Sequence, residues 1–465
     1  MIQTLLIVAI VILACVFLDK VSERFGVPML LAFILLGMFF GSDGVVKIAF
    51  DNYQTAEELC SIALIFIMFY GGFGTNWREA RPVAAKAVLL STVGVVMTAG
   101  LTGWLCHTIL HFDWLESLLL GALLSSTDAA SVFSVLRSRK LNLKYRTASL
   151  LEVESGSNDP CAYMLTVIFL TMEKGSMDGI TMLGMIAAQV LLGVVCGAFC
   201  AWIAVKMLQR DEFPTDGFDV IFTVGMAVLA YALSVKFGGN GYLSVYILGI
   251  ILGNSEFSNK PGLVHFFDGL TGLMQILIFF LLGLLAFPSR LPAVFFPALV
   301  IALLLTFIVR PLVVSVILIP FGSSFSQIAL VSWSGLRGAA SIVFAIMAER
   351  SLTTTIDIYH IVFLIVIFSI LMQGSMIPFM AKLTGMIDEK ENVMKTFNDY
   401  TKLHLIERTL DASHPYVGLS LAELPRRKNE LIIMIERNGE IIIPNGDVVL
   451  QPDDMLVINR SKPHV

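Results

Sequence analysis

Between residues 2 and 384 the chain carries thirteen apolar stretches, most of them about 17 residues or longer, and few charges interrupt them. Their approximate limits are 2–18, 27–43, 56–73, 83–110, 114–136, 147–172, 179–205, 218–237, 241–255, 263–287, 291–320, 326–349 and 357–384. A stretch of this kind is read as a helix crossing a bilayer, because a helix pairs its own backbone groups where no water is available. The chain is 57% hydrophobic and only 14% charged, against about 25% charged residues in soluble domains. The expected fold class is therefore an all-α polytopic membrane protein of about 13 transmembrane helices.

Loop charges set the expected orientation. With the N-terminus outside, the inner loops hold thirteen Lys and Arg, densest at Arg137, Arg139, Lys140, Lys144 and Arg146. The outer side holds five, namely Lys47, Lys174, Lys236, Arg290 and Arg350. The positive-inside rule then places the C-terminus in the cytoplasm. No charge precedes Asp19 and Lys20, and no small-residue cleavage site follows the first apolar stretch, so it is expected to be a retained span. The net charge of −5 and the lack of a basic stripe argue against a nucleic-acid partner. All six cysteines fall in apolar segments without metal-ligand spacing and read as small buried hydrophobes.

Two acidic blocks lie inside these apolar stretches. One is Ser125-Ser126-Thr127-Asp128 and the other is Glu152-Val153-Glu154-Ser155-Gly156-Ser157-Asn158-Asp159-Pro160. A carboxylate at mid-bilayer costs about 2.5–3.5 kcal/mol on insertion scales, and such residues mark ion or proton pathways. On a helix, Glu154, Ser155, Asn158 and Asp159 share one face about 140° wide. Such a face offers carboxylate and hydroxyl oxygens to a hard monovalent cation. Pro160 removes one backbone hydrogen bond and favours a kink. Glu152 sits nearer the basic loop and reads as an interfacial acid. In the other block, Thr127 and Asp128 compete with the helix backbone for hydrogen bonds, so an unwound stretch beside Asp128 is expected.

The twelfth stretch contains Gly335-Leu336-Arg337-Gly338-Ala339. An unpaired Arg337 in lipid is costly, so a carboxylate partner is expected, and Glu154 is the candidate. Gly335 and Gly338 permit a second break. Matched interruptions in the two halves of a chain point to an inverted-repeat transporter with its site between them. Arg310, followed by Pro311, is a further intramembrane cation outside any such block.

Beyond Thr384 the composition turns polar. Residues 385–400 read as a linker and 401–465 as a small cytoplasmic α/β domain. Strands are expected at 403–410, 431–435, 440–443 and 455–458, with a short helix at 419–424. Arg437-Asn438-Gly439 reads as a hairpin turn. About 65 residues make a marginal core, which dimerisation would support.

The blocks Ser126-Thr127-Asp128-Ala129-Ala130, Glu154-Ser155-Gly156-Ser157-Asn158-Asp159-Pro160 and Gly335-Leu336-Arg337-Gly338-Ala339 resemble the three signature blocks of the NhaP-like monovalent cation:proton antiporters. The 401–465 segment resembles the C-terminal subdomain of the regulators of potassium conductance, a pairing similar to the potassium/proton antiporter branch. The resemblance implies an inverted-repeat fold in which spans 5 and 12 unwind and cross, and a homodimer. It implies that Asp159, Asp128, Glu154 and Ser155, with the Thr127 carbonyl, surround the cation. It implies too that Arg337 pairs with Glu154 and that Asn158 lines the access route. The transported species would be K⁺ or Na⁺ against H⁺, exchanged electroneutrally without a cofactor. A small cytoplasmic ligand, nucleotide-like in chemistry, would act at 401–465. A ligand-gated cation channel and a solute:Na⁺ symporter are the rival readings; a channel filter sequence is not visible.

Overall fold

The computed structural model describes residues 2–25, 29–139, 141–175, 178–210, 217–257, 259–352, 354–388, 405–411, 414, 416–424, 430–437 and 440–460. The chain divides into two compact units, 1–394 and 395–465.

The first unit is built of helices, and the apolar stretches of the sequence form them with bounds shifted by a few residues. Among the described residues, seven helical runs are long and apolar enough to cross a membrane, including Tyr53–Gly74, Gly179–Arg210 and Lys260–Leu285. Their outer faces carry large exposed hydrophobics such as Ile180, Phe296 and Trp202. A continuous apolar exterior of this kind suits lipid and not water.

One order of elements occurs twice. A long run (Ala84–Leu110) is followed by a helix broken into Trp114–Leu123 and Ala129–Ser138, then by the long helix Thr147–Lys174. Later, the run Leu291–Phe321 precedes a helix broken into Phe325–Trp333 and Ala339–Ser351. The run Ile358–Leu383 follows. The breaks have local causes. Ser125 Oγ donates to the Ala122 carbonyl at 2.6 Å, which also accepts the Ser125 amide at 3.1 Å, so the last turn tightens to the i−3 pattern as the helix ends. Asp128 caps the half-helix that follows it, accepting from the Ser131 amide at 3.2 Å and the Ser131 hydroxyl at 2.5 Å. In the second break the last helical bond is Ser334 N–H to the Leu330 carbonyl, and glycines stand at 335 and 338.

Two π-helical segments interrupt the later runs, Leu305–Val309 and Ser369–Gly374. Each contains the residue four before a proline, Phe307 before Pro311 and Gly374 before Pro378. Those carbonyls lose their α-helical donor, and a widened turn accommodates the loss. Helix Thr147–Lys174, in contrast, runs unbroken through Pro160.

Elsewhere, backbones approach closely through small residues. Helix Met29–Phe40 packs on Lys260–Leu285 at Gly37 and Gly283, where a Cβ on Gly37 would lie 2.8 Å from the Gly283 Cα. Helix Gly241–Gly253 meets Thr147–Lys174 differently. Asn240, its N-cap, donates from Nδ2 to the Pro160 carbonyl at 2.7 Å.

The second unit is a four-stranded antiparallel sheet of order β1-β4-β2-β3. Its strands are β1 (Leu405–Thr409), β2 (Glu430–Arg437), β3 (Glu440–Ile442) and β4 (Met455–Arg460). Register runs Leu405↔Asn459 between β1 and β4, and Arg437↔Glu440 closes the β2–β3 hairpin. The turn residues Asn438 and Gly439, and 389–400 of the expected linker, lie outside the described residues. Leu410, Ile435, Leu450, Leu456 and Ile458 form the core. The expected helix at 419–424 is not there. Gly418 takes φ +88° and Ser420 bridges Val449, so the segment folds as turns against the sheet. Glu423 accepts from both the Ser420 amide and hydroxyl, which closes the Ser-x-x-Glu box in a single turn.

Asp454 is fully buried in this unit and holds Arg437 through two bonds, Nε to Oδ1 at 2.7 Å and Nη2 to Oδ2 at 2.8 Å. The guanidinium, with the Gln451 amide, keeps the Asp454 carboxyl below the usual carboxylate range. A depressed folded value stabilises the unit above the unfolded carboxylate value of about 3.9 and loses that contribution as pH falls through the folded value. Arg437→Met should cost the unit about 1.5–3 kcal/mol at neutral pH by stranding Asp454. Protease sensitivity of the 395–465 unit in the full chain, followed against denaturant, measures it. The cost should shrink below the ordinary carboxylate range.

Candidate functional site

The two broken helices cross and complete each other. The Asp128 amide, freed by the first break, donates to the Leu336 carbonyl of the second at 2.8 Å. In the opposite direction, Arg337 Nη1 donates to the Ser126 carbonyl at 2.7 Å and the Ser125 carbonyl at 3.3 Å. Gly338 is required for this approach, since a Cβ there would lie 2.6 Å from Asp128 Cγ. Orphan donors and acceptors in lipid are thereby paired across the crossing.

Helix Thr147–Lys174 lays its polar face against the first break. Ser126 Oγ donates to Asp159 Oδ1. Ser155 Oγ donates to the Thr127 carbonyl at 2.6 Å, and Asn158 Nδ2 donates to Thr127 Oγ1 at 2.5 Å. Glu154, Ser155, Asn158 and Asp159 are all buried, as are Ser126 and Thr127, and Asp128 is half-buried. The structure thus brings the sequence-predicted residues Thr127, Asp128, Glu154, Ser155, Asn158, Asp159 and Arg337 to one crossing. Glu154 Oε2 and Asn158 Oδ1 are buried oxygens with no hydrogen-bond donor among the described residues.

One expectation is corrected. Arg337 is not the partner of Glu154. Arg310 Nη2 holds Glu154 Oε1 at 2.5 Å, with both side chains buried. The cause is local: the π turn Leu305–Val309, closed by the Arg310 amide on the Leu305 carbonyl, sits immediately before Arg310 and re-aims it toward the crossing. Arg337 sits inside the second break, where unwound carbonyls of the first break compete successfully for its guanidinium. Arg310 lies outside the three sequence blocks. A count of buried cations against buried carboxylates would have pointed to it. Ser126 and Ser131 are further contacts that the sequence reading missed, although both lie in or beside the first block.

A cavity opens beside the crossing, lined by Thr306, Arg310, Gly335, Arg337, Ser369 and Gln373 together with apolar residues. It draws polar groups from both π segments and from the second break.

Removing one partner of a buried pair strands the other charge, at about 3–5 kcal/mol. Arg310→Met should therefore lower the yield of folded protein. Glu154→Gln added to it should restore part of the loss, a coupling that a double-mutant thermal-stability cycle reads directly. The same cycle between Glu154→Gln and Arg337→Met should show weaker coupling.

The chain and its fold are similar to known proteins. The sodium/hydrogen exchanger transmembrane family model matches residues 7–383, and the TrkA-C domain model matches 405–459. The chain is 34% identical over 464 residues to a K(+)/H(+) antiporter NhaP of Alkalimonas amylolytica, covering 98% of this chain and 80% of the relative. It is 32% identical to the K(+)/H(+) antiporter NhaP2 of Shewanella oneidensis, covering 97% and 80%. The solved structure of the sodium proton antiporter MjNhaP1 from Methanocaldococcus jannaschii has a similar fold, with a TM-score of 0.71 at 24% identity, covering 82% of this chain and 98% of that one. This chain belongs to the sodium/hydrogen exchanger family: it is a mostly helical membrane transporter of the NhaP antiporter fold, with a small C-terminal sheet domain.

Proposed function

We propose that the chain exchanges K⁺ for H⁺ across the cytoplasmic membrane, one for one, by alternating exposure of a carboxylate site centred on Asp159 and Asp128. Monovalent cation:proton antiport, and not enzymatic chemistry, follows from the family. The reading of K⁺ as the cation is supported by relatives named as K(+)/H(+) antiporters.

The observation that carries the stoichiometry is the charge at the crossing. Two guanidinium groups, Arg310 and Arg337, face three carboxylates, Glu154, Asp159 and Asp128. Arginine stays charged in proteins. With every carboxylate ionised the crossing is one positive charge short of neutral. One proton or one monovalent cation completes it, and a second would leave an uncompensated charge in a low-dielectric interior. Arg310 occupies one oxygen of Glu154, which leaves Asp159 and Asp128 as the exchanging pair. Asp159, Asp128, Glu154 and Ser155, with the Thr127 carbonyl, then offer oxygens to the dehydrated cation. Asn158 braces Thr127 and lines the route. Competition between proton and cation for one vacancy yields obligatory exchange without ATP or redox chemistry.

The remaining assignments rest on the same frame. Residues 1–384 form the transporter, with thirteen crossings, an outer N-terminus and a cytoplasmic C-terminus. Residues 401–465 form a regulatory domain for a small cytoplasmic ligand. A homodimer fits the exposed sheet face of that domain, where Leu431, Ile441 and Ile443 are 64%, 68% and 83% exposed. An apolar face of this kind in water marks an interaction surface.

Reconstituted in liposomes, Asp159→Asn should abolish exchange while the protein stays folded, since it removes the charge and keeps the shape. Wild-type exchange should keep its rate and end-point when the membrane potential is clamped at different values; a voltage-set end-point contradicts the one-for-one stoichiometry. Truncation after residue 390 should preserve exchange and remove its response to cytoplasmic ligands. Complete loss of transport in a truncated chain that still inserts assigns 401–465 a central role instead.

A further inference from the structure

We propose that Ser369 and Gln373 are positioning residues for exchange: they hold the second break so that Arg337 keeps the Ser126 hydroxyl on Asp159. The inference rests on the assignment of Asp159 as the exchanging carboxylate.

Both side chains are buried in a stretch, 361–374, that is otherwise apolar, with Ser369 5% and Gln373 3% exposed. Polar groups at that depth are costly unless paired. Theirs are paired to the backbone of the broken helix. Ser369 Oγ accepts from the Arg337 amide at 3.0 Å and donates to Gln373 Oε1 at 2.6 Å. Gln373 Nε2 donates to the Trp333 carbonyl at 3.2 Å, and Trp333 Nε1 donates to the Gln373 carbonyl at 3.1 Å. Trp333 is the last residue of the half-helix before the break. Both ends of the unwound stretch are therefore tied to one π segment, whose widened turn presents Ser369 and Gln373 together.

The tie continues to the site. Arg337 Nη1 holds the Ser126 and Ser125 carbonyls, and Ser126 Oγ donates to Asp159. Arg337 borders the cavity, and its Nε and Nη2 make no hydrogen bond among the described residues. Without the amide anchored on Ser369, the backbone that aims the guanidinium can shift, and Nη1 loses its registration on the Ser126 carbonyl. The Ser126 hydroxyl then loses its registration with Asp159. A hydroxyl that donates to a carboxylate favours the ionised form that a cation needs. Its loss should weaken apparent cation affinity more than turnover.

The test is K⁺-driven H⁺ movement in proteoliposomes at fixed pH, read as half-saturating K⁺ and maximal rate. Ser369→Ala and Gln373→Met should each raise half-saturating K⁺ about three- to tenfold, the scale of one lost hydrogen bond, with maximal rate within about twofold. Ser369→Thr keeps the hydroxyl and should behave as wild type. Ser126→Ala should reproduce the affinity loss, and Ser126→Ala with Ser369→Ala should be no worse than Ser126→Ala alone. If Ser126→Ala weakens affinity while Ser369→Ala and Gln373→Met do not, the positioning role is wrong. It is equally wrong if the fold-changes of the double variant multiply. If Ser126→Ala has no effect on affinity, the positioning role is wrong while the Asp159 assignment stands; exchange that persists in folded Asp159→Asn removes that assignment, and the proposal with it.

Discussion

Two helices are interrupted inside the membrane, and each supplies what the other's interruption lacks. That exchange of hydrogen bonds is the condition for everything else at the site. An unwound stretch in lipid leaves amides and carbonyls that no water can satisfy. Here the Asp128 amide finds the Leu336 carbonyl, and the Ser125 and Ser126 carbonyls find Arg337. The side chain of Asp128 is thereby left to cap its own half-helix at Ser131 and to stand at the crossing. Neither break is tolerable alone, so the site exists only when both halves of the unit are folded against each other.

The second constraint is charge. Two buried arginines border the same cavity, and they have different tasks. Arg310 neutralises a carboxylate, whereas Arg337 satisfies peptide carbonyls. Guanidinium geometry permits either task, and the backbone decides which. Arg310 extends from a regular helix just past a π turn, and meets the side of helix Thr147–Lys174. Arg337 emerges from the unwound chain itself, beside the peptide groups that need donors.

Much of this was legible in the residues. Carboxylates inside apolar stretches located the crossing, and the glycines flanking Arg337 located the second break. The amphipathic face from Glu154 to Asp159 stands as the periodicity predicts, because it depends only on helical geometry. What the sequence concealed was the choice of partners. Glu154 is 183 positions from Arg337 and 156 from Arg310, and no periodicity distinguishes the two. The π turn that aims Arg310 arises from Pro311 acting on its own preceding turn, a signal that reads equally well as a helix start. Ser369 and Gln373 were invisible for a related reason: two polar residues in an apolar run have meaning only once their neighbours are known. In the second unit a short helix was expected at 419–424, yet the Ser420–Glu423 hydrogen bonds close within one turn and the chain then joins the sheet.

The glycine contact between helices Met29–Phe40 and Lys260–Leu285 differs in kind from the contact that Asn240 makes with Pro160. At Gly37 and Gly283 two backbones touch with no side chain between them. Nothing there can rotate to absorb a shear, so the pair behaves mechanically as a welded seam. The Asn240 contact is one hydrogen bond from a buried side chain whose Oδ1 also caps its own helix on the Leu243 amide. A load on this molecule would therefore leave the seam at Gly37 shut, and helices Met29–Phe40 and Lys260–Leu285 would travel as one piece.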